Sequence, residues 1–195
     1  MFYGSRIDTT PEVTCKIHCI KNIYFSNIHS LADHSFLIAK KVCEDQIGVK
    51  NVITVFEKEF IRQTLPILEK YKIQNPSYYE SLINDSILCQ TIFFGFEESL
   101  PYMISVLFRA RQLLTGQINL KAEAHDGILF IGGEVREIDT LFSNEALWNQ
   151  GPVSAIDKLI GIEINSHPKE VSYPIDIIKL TKSEKIWIRR KQMCE

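Results

Sequence analysis

The sequence predicts an α+β fold of four stacked layers: helices, sheet, sheet, helices. Three observations carry that expectation. Strand patterns lie near both ends of the chain, at 13–27 and 171–190. Helical patterns fall in two separate pairs, and a run of four strand patterns stands between them. Antiparallel strands with helices segregated in this way bury their apolar faces by layering. The 195 residues suit one domain with a sizeable core, and no repeat, low-complexity tract or linker divides them.

The first strand pattern is "VTCKIHCIKNIYFSN" (13–27), where Val13, Cys15, Ile17 and Cys19 alternate with Thr14, Lys16 and His18. Period two marks a half-buried strand. Asn22 signals a turn, and Ile23, Tyr24 and Phe25 begin a second strand. In "SLADHSFLIAKKVCED" (30–45), Leu31, His34, Ile38 and Val42 recur at helical spacing. Ser30 is the expected N-cap, with Asp33 three residues on. A longer helix is expected over 51–72, striped by Val52, Val55, Phe56, Phe60 and Leu68 and capped by Asn51. Pro66 should kink or split it. "NPSYYESLIND" (75–85) reads as a connector with a helical turn.

From residue 86 the pattern returns to strands. "SILCQTIFFGFEESLPYMISVLFRAR" holds two apolar runs around "EESLP", as an antiparallel pair requires. "INLKAEAH" and "GILFIGG" flank Asp126-Gly127, a hairpin signal. Helical pattern follows over 135–148 and 153–165, with Pro152 suited to a first turn. "VSYPIDIIKLTKSEKIWIRR" (171–190) closes as a second hairpin.

Composition narrows the function. Apolar residues are 45% and charged residues 24%, ordinary for a globular protein in water. Net charge is −2 with Lys and Arg scattered, so the basic stripe of a nucleic-acid binder is missing. The tail "IRRKQMCE" reads as a solvated terminus. No run reaches the ~18 apolar residues of a membrane span, and the opening residues lack a secretory pattern. Five cysteines, odd in number and dispersed, make no disulfide framework. The expected compartment is the reducing cytoplasm.

Three segments carry a family likeness: "YGSRIDTTPEVTCKIHCI" (3–20), "TIFFGFEESLPYMISV" (91–106) and "AIDKLIGIEINSHPKEVSYPIDIIKLTKSEKIWI" (155–188). Together they cover roughly half the chain and resemble the proteasome-type N-terminal nucleophile (Ntn) hydrolases. The resemblance implies an αββα sandwich that assembles into rings. Its partners would be copies of itself in a homo-oligomer or related subunits, and peptide its ligand class. In that family a mature N-terminal threonine attacks a peptide carbonyl with its own amine as base. A nearby lysine lowers the amine's proton affinity, and a backbone N–H holds the oxyanion.

Residue by residue, the resemblance places Lys16 at the family's lysine and Gly132-Gly133 at its oxyanion turn, where the usual serine is absent. Ser5 and Arg6 match an Asp-Ser-Arg tripeptide in which Gly4 replaces the aspartate. Ser172-Tyr173 stand where the family writes two glycines, and Asn165, Ser166 and His167 supply no second aspartate. Only Met1, Phe2 and Tyr3 precede Gly4, which leaves no room for the family's first strand or its nucleophile. The expectation is therefore a non-catalytic, proteasome-like protein with a structural or assembly role, one domain over 1–195. Two alternatives stand beside it: a threonine-type peptidase whose nucleophile lies upstream of Met1, and an unrelated α+β binding domain.

Blander readings hold elsewhere. Lys16 on the solvent face of a strand is the default for a lysine, so Lys16→Ala should change stability little. Cys15, His18 and Cys19 cannot all converge on a metal, because His18 points away from the cysteines on a strand. No metal or cofactor is expected. Self-cleavage exposing Thr14 or Cys15 is demanded by no feature. Asp8, Asp33, His34 and His125 with Ser5 or Ser35 lack a Gly-x-Ser-x-Gly elbow, and "GILFIGGE" lacks phosphate-loop spacing. Phe93, Phe94 and Phe96 read as sheet core, and Trp148 and Trp187 as packing residues.

Overall fold

A computed structural model of the chain describes residues 15, 17–126, 136–166 and 175–190. The α+β class holds: a five-stranded antiparallel sheet, a two-stranded sheet and six helices are found among these residues. The chain divides into two compact units. One carries the five-stranded sheet with three helices; the other carries three helices and most of the closing hairpin.

In the first unit, β1 (His18–Ile20) and β2 (Ile23–Ile28) pair through Lys21 and Asn22, whose φ angles are 48° and 65°. Two successive left-handed residues are what a two-residue hairpin turn demands, because that twist matches the strands. Helices α1 (Ala32–Asp45), α2 (Val49–Gln74) and α3 (Pro76–Ile83) follow. Then β3 (Asn84–Glu97), β4 (Leu100–Gln112) and β5 (Ile118–Asp126) form a meander. Glu98 and Ser99, at φ 49° and 78°, turn β3 into β4 as Lys21 and Asn22 turn β1 into β2. The sheet order is β1-β2-β3-β4-β5, every neighbour antiparallel.

Several local expectations need correction. The first strand is three residues long; Cys15 and Ile17 are outside it. Leu31, not Ser30, stands at the N-cap of α1, with no side-chain cap bond. Asn51 does not cap α2: its Nδ2 donates to Ile47 O, and Gly48 is the cap residue at φ 80°. Pro66 does not split α2, which runs through it unbroken. Pro66 is solvent-exposed, so the carbonyl that loses its N–H partner faces water. The connector at 75–85 is a helix with Asn75 as its cap, Oδ1 accepting from Tyr78 N at 3.3 Å and Pro76 in the first turn.

The core lies between the sheet and α1–α2. Phe25 of β2, Phe93 of β3 and Phe108 of β4 meet Phe56 and Phe60 of α2, and all five are fully buried. Phe56 stands edge-on to Phe93 and Phe108 at 5.1 and 5.6 Å between centroids, and Phe60 stacks on Phe108 at 3.9 Å. Of the expected aromatic stripe only Phe93 joins this core. Phe94 and Phe96 are half-buried; alternation puts them on the other face, where Phe94 stacks on Tyr24. That face is not simply solvated. Tyr24, Gln90, Ser105 and Leu107 are 4%, 3%, 0% and 7% exposed, and Gln90 Nε2 donates to Ser105 Oγ at 2.7 Å.

In the second unit, the helix expected over 135–148 is two: α4 (Arg136–Phe142) and α5 (Glu145–Trp148). Asn144 ends the first and caps the second, its Oδ1 accepting from Ala146 N at 2.9 Å. Trp148 packs as expected, perpendicular to Phe142 with its Nε1 donating to Phe142 O at 2.8 Å. After Gly151 at φ 93°, Pro152 opens α6 (Pro152–Ser166), and Ile138, Leu147, Ala155 and Leu159 form a small core. The closing hairpin is β6 (Ile177–Leu180) and β7 (Lys185–Arg189), with Arg189 forked onto Asp157 of α6. The expected strand "GILFIGG", including Gly127 of the turn before it, lies outside the described residues. Among the described residues, no helix is long and apolar enough to cross a membrane.

Candidate functional site

The residues singled out from sequence lie mostly elsewhere than the described structure. Lys16, Gly132 and Gly133 are outside the described residues, as are Gly4, Ser5, Arg6, His167, Ser172 and Tyr173. Cys15, His18 and Cys19 do not form a ligand set. Cys15 is disulfide-bonded, an exception to the expectation of reduced cysteines; Cys19, Cys43 and Cys89 are free. His18 packs its ring 4.4 Å from Phe36 and 5.4 Å from Phe25. The described residues contain no group of three His, Cys, Asp or Glu placed to hold a metal ion.

The structure instead brings together a polar cluster that the sequence does not announce. Asn27 of β2 and Thr91 of β3 are directly opposed across the sheet, and Ser35 of α1 comes down onto them. Ser35 Oγ donates to Asn27 Oδ1 at 2.9 Å and lies 2.6 Å from Thr91 Oγ1. Thr91 Oγ1 lies 2.8 Å from Asn27 Oδ1, and Cys89 Sγ lies 3.7 Å from Thr91 Oγ1. Ser35, Thr91 and Cys89 are fully buried.

Two hydroxyls and a thiol could serve as nucleophiles only beside a base, and their partners here are an amide oxygen and each other. Burial also pushes the Cys89 thiol up to about 11, so it stays protonated at neutral pH. His34 and Ser35 are successive residues of α1, and side chains one apart on a helix do not face each other. The His34 ring packs 5.7 Å from Phe60 of α2, its Nε2 is buried with no hydrogen-bond partner among the described residues, and burial lowers its proton affinity. Asp33, His34, His125 and Ser35 therefore form no triad. The cluster pins α1 to the seam between β2 and β3.

A cleft of about 280 Å³ lies between α1 and α2, floored by Ile38, Val42 and Val55 and rimmed by Lys41, Glu59 and Arg62. Its volume is at the small end for ligand pockets. Two of the rim charges pair with each other: Arg62 Nη2 is 2.6 Å from Glu59 Oε2, and Gln63 Nε2 donates to the same oxygen at 2.9 Å. Those bonds hold the Glu59 carboxyl down to about 2. A carboxylate so held is a poor proton carrier near neutrality. A wider depression at the end of the sheet, between Asn84 and Arg111, is open to solvent and rimmed by the fully exposed Leu114.

Neither a protein-family model, nor a curated protein, nor a solved structure matches the chain.

Proposed function

We propose that the chain is a non-catalytic, proteasome-like protein with a structural or assembly role, folded as a four-layer αββα sandwich. The observation that carries the non-catalytic part is the Ser35–Thr91–Cys89 cluster. Its hydroxyls and thiol are sealed from solvent and bonded to the Asn27 amide oxygen and to one another rather than to a base. The layering is supported by the sheet's second face, where Tyr24, Gln90, Ser105 and Leu107 are buried, as a covered face requires. The order strands, helices, strands, helices, strands agrees with the resemblance stated for 3–20, 91–106 and 155–188. The same reading assigns the protein to the cytoplasm and gives it copies of itself or related subunits as partners, with peptide a ligand class rather than a substrate.

A threonine-reactive probe and a panel of fluorogenic peptides, applied to the purified chain alongside light-scattering mass, test this reading. A stable oligomer with neither labelling nor turnover supports it. Labelling of an N-terminal hydroxyl with peptide turnover would instead establish the threonine-type peptidase, and a single helix–sheet layer in a determined structure would leave only an unrelated α+β binding domain.

A further inference from the structure

The turn between β4 and β5 is held by a set of hydrogen bonds. Leu113 N donates to Gln117 O and Gly116 N donates to Leu113 O, each at 2.8 Å, and Gly116 takes φ 81°. Lys72 Nζ of α2 and Gln112 Nε2 both donate to Gly116 O at 3.2 Å. These bonds keep Leu114 and Thr115 at the corners of the turn, where Asn, Asp, Ser, Pro or Gly is usual. Leu114 is fully exposed there, and Leu113 is exposed beside it. Two leucines kept in water forgo the free energy that burial would supply.

Charge around the turn has one sign. From Leu100 to Ala122 the charged residues are Arg109, Arg111 and Lys121, all cations. Ala110 and Leu120 are buried in the core, so alternation places the three cations on the opposite face. Arg111 stands opposite Asn119, and Arg109 opposite Lys121. Arg111 also lines the depression of about 620 Å³ at this end of the sheet, together with Ile83, Asn84, Gln112 and the two leucines. A cation, two amides and an aliphatic rim therefore share one open hollow.

We propose that this turn is a membrane-contact site. Leu113 and Leu114 enter the outer acyl region of an anionic leaflet, Arg111 and Lys121 meet headgroup phosphates, and one headgroup seats in the depression. The proposal goes beyond the assembly role and does not rest on it. Two features select a bilayer over a protein partner. The apolar tip is two residues wide, far short of the roughly 800 Å² per partner that a stable protein interface buries. Reversible membrane anchoring asks for less, a small apolar insertion combined with a basic patch. The flanking charges are also of one sign, which complements an anionic leaflet.

The test is flotation of the full chain with vesicles of phosphatidylcholine alone or enriched in phosphatidylserine, at low and at physiological salt. Wild type should float with the phosphatidylserine vesicles, stay behind with the neutral ones, and bind less as salt rises. Leu114→Asn should weaken binding by about tenfold or more, and Arg111→Gln by about fivefold. Both positions are exposed, and asparagine suits a turn corner. Leu114→Trp supplies a positive readout: its emission, in difference against wild type, should shift to the blue on phosphatidylserine vesicles. Wild type that floats with neither kind of vesicle overturns the proposal. So does a Leu114→Asn variant that binds as tightly as wild type, or a Leu114→Trp variant whose emission does not move. A concentration-dependent dimer that Leu114→Asn abolishes, without vesicle binding, would give the turn to a second copy and overturn it as well.

Discussion

Gly95 of β3 is directly opposite Tyr102 of β4, and a methyl group placed on Gly95 would come within 2.9 Å of the Tyr102 hydroxyl and 3.1 Å of Asn22 O. Gly95 also holds φ at 155°, where a side chain is strained. The glycine thus lets the Tyr102 ring lie across the strand beside the β1–β2 turn. Gly95→Ala should cost about 1–3 kcal/mol by overpacking, read by urea unfolding. Gly95→Ala in a Tyr102→Phe background should cost less, because the nearest clashing atom is gone. Equal costs in both backgrounds would place the strain in the backbone alone.

Thr91 accepts a different test. It is a fully buried hydroxyl bonded to Ser35 and Asn27, so Thr91→Val removes the bond and keeps the shape. The expected loss is about 1–3 kcal/mol, the range for leaving buried polar partners short of a bond. Ser35→Ala and Thr91→Val should be non-additive in a double-mutant cycle, since the two hydroxyls share Asn27 Oδ1. Strict additivity would contradict a shared network.

His34 sets an acid limit. Burial lowers its proton affinity below the ordinary value of about 6.5. His29 is lowered in the same direction, first by burial and then by the Arg109 charge. In both cases the unfolded chain binds protons that the folded chain refuses. Stability is therefore complete above about pH 6.5 and falls as pH drops from there toward the folded values. Thermal melts at pH 7.5, 6.5 and 5.5 should show this decline, and His34→Phe should flatten it. A melt temperature independent of pH across that range would refute the assignment.

Pro66 is tolerated rather than required. It is exposed within an unbroken helix. Pro66→Ala should stabilise by about 2–3 kcal/mol: the ~3 kcal/mol helix penalty of proline, less up to ~1 kcal/mol from a freer unfolded chain. Chemical denaturation reads this directly, and a destabilised Pro66→Ala would mean that the proline shapes the helix against its neighbours.

What could be read in the sequence was local. The Asn22 turn, the "EESLP" turn, the α1 and α2 stripes and the closing hairpin follow from period and turn chemistry within a few residues. Helix ends were misplaced because Ser30 and Asn51 have the right chemistry for caps but the chain enters α1 and α2 through Leu31 and Gly48. Period-2 patterning identified β3 as a strand but not that Phe94 faces away from Phe93 into a second buried surface. The Asn27–Ser35–Thr91 cluster was not legible, because Asn27 and Thr91 stand 64 residues apart and meet only through the β2–β3 register. The family's site positions, Lys16, Gly132 and Gly133, are outside the described residues.

That same seam governs the order in which the first unit assembles. The β3–β4–β5 meander closes through short turns, whereas β2 reaches β3 only after α1, α2 and α3 have been looped out between them. Closing so long a loop is slow relative to neighbouring hairpins. The meander therefore supplies the template on which β2 docks late. Substitutions at Thr91 or Asn27 should accelerate unfolding while scarcely slowing folding, a split that stopped-flow kinetics resolves.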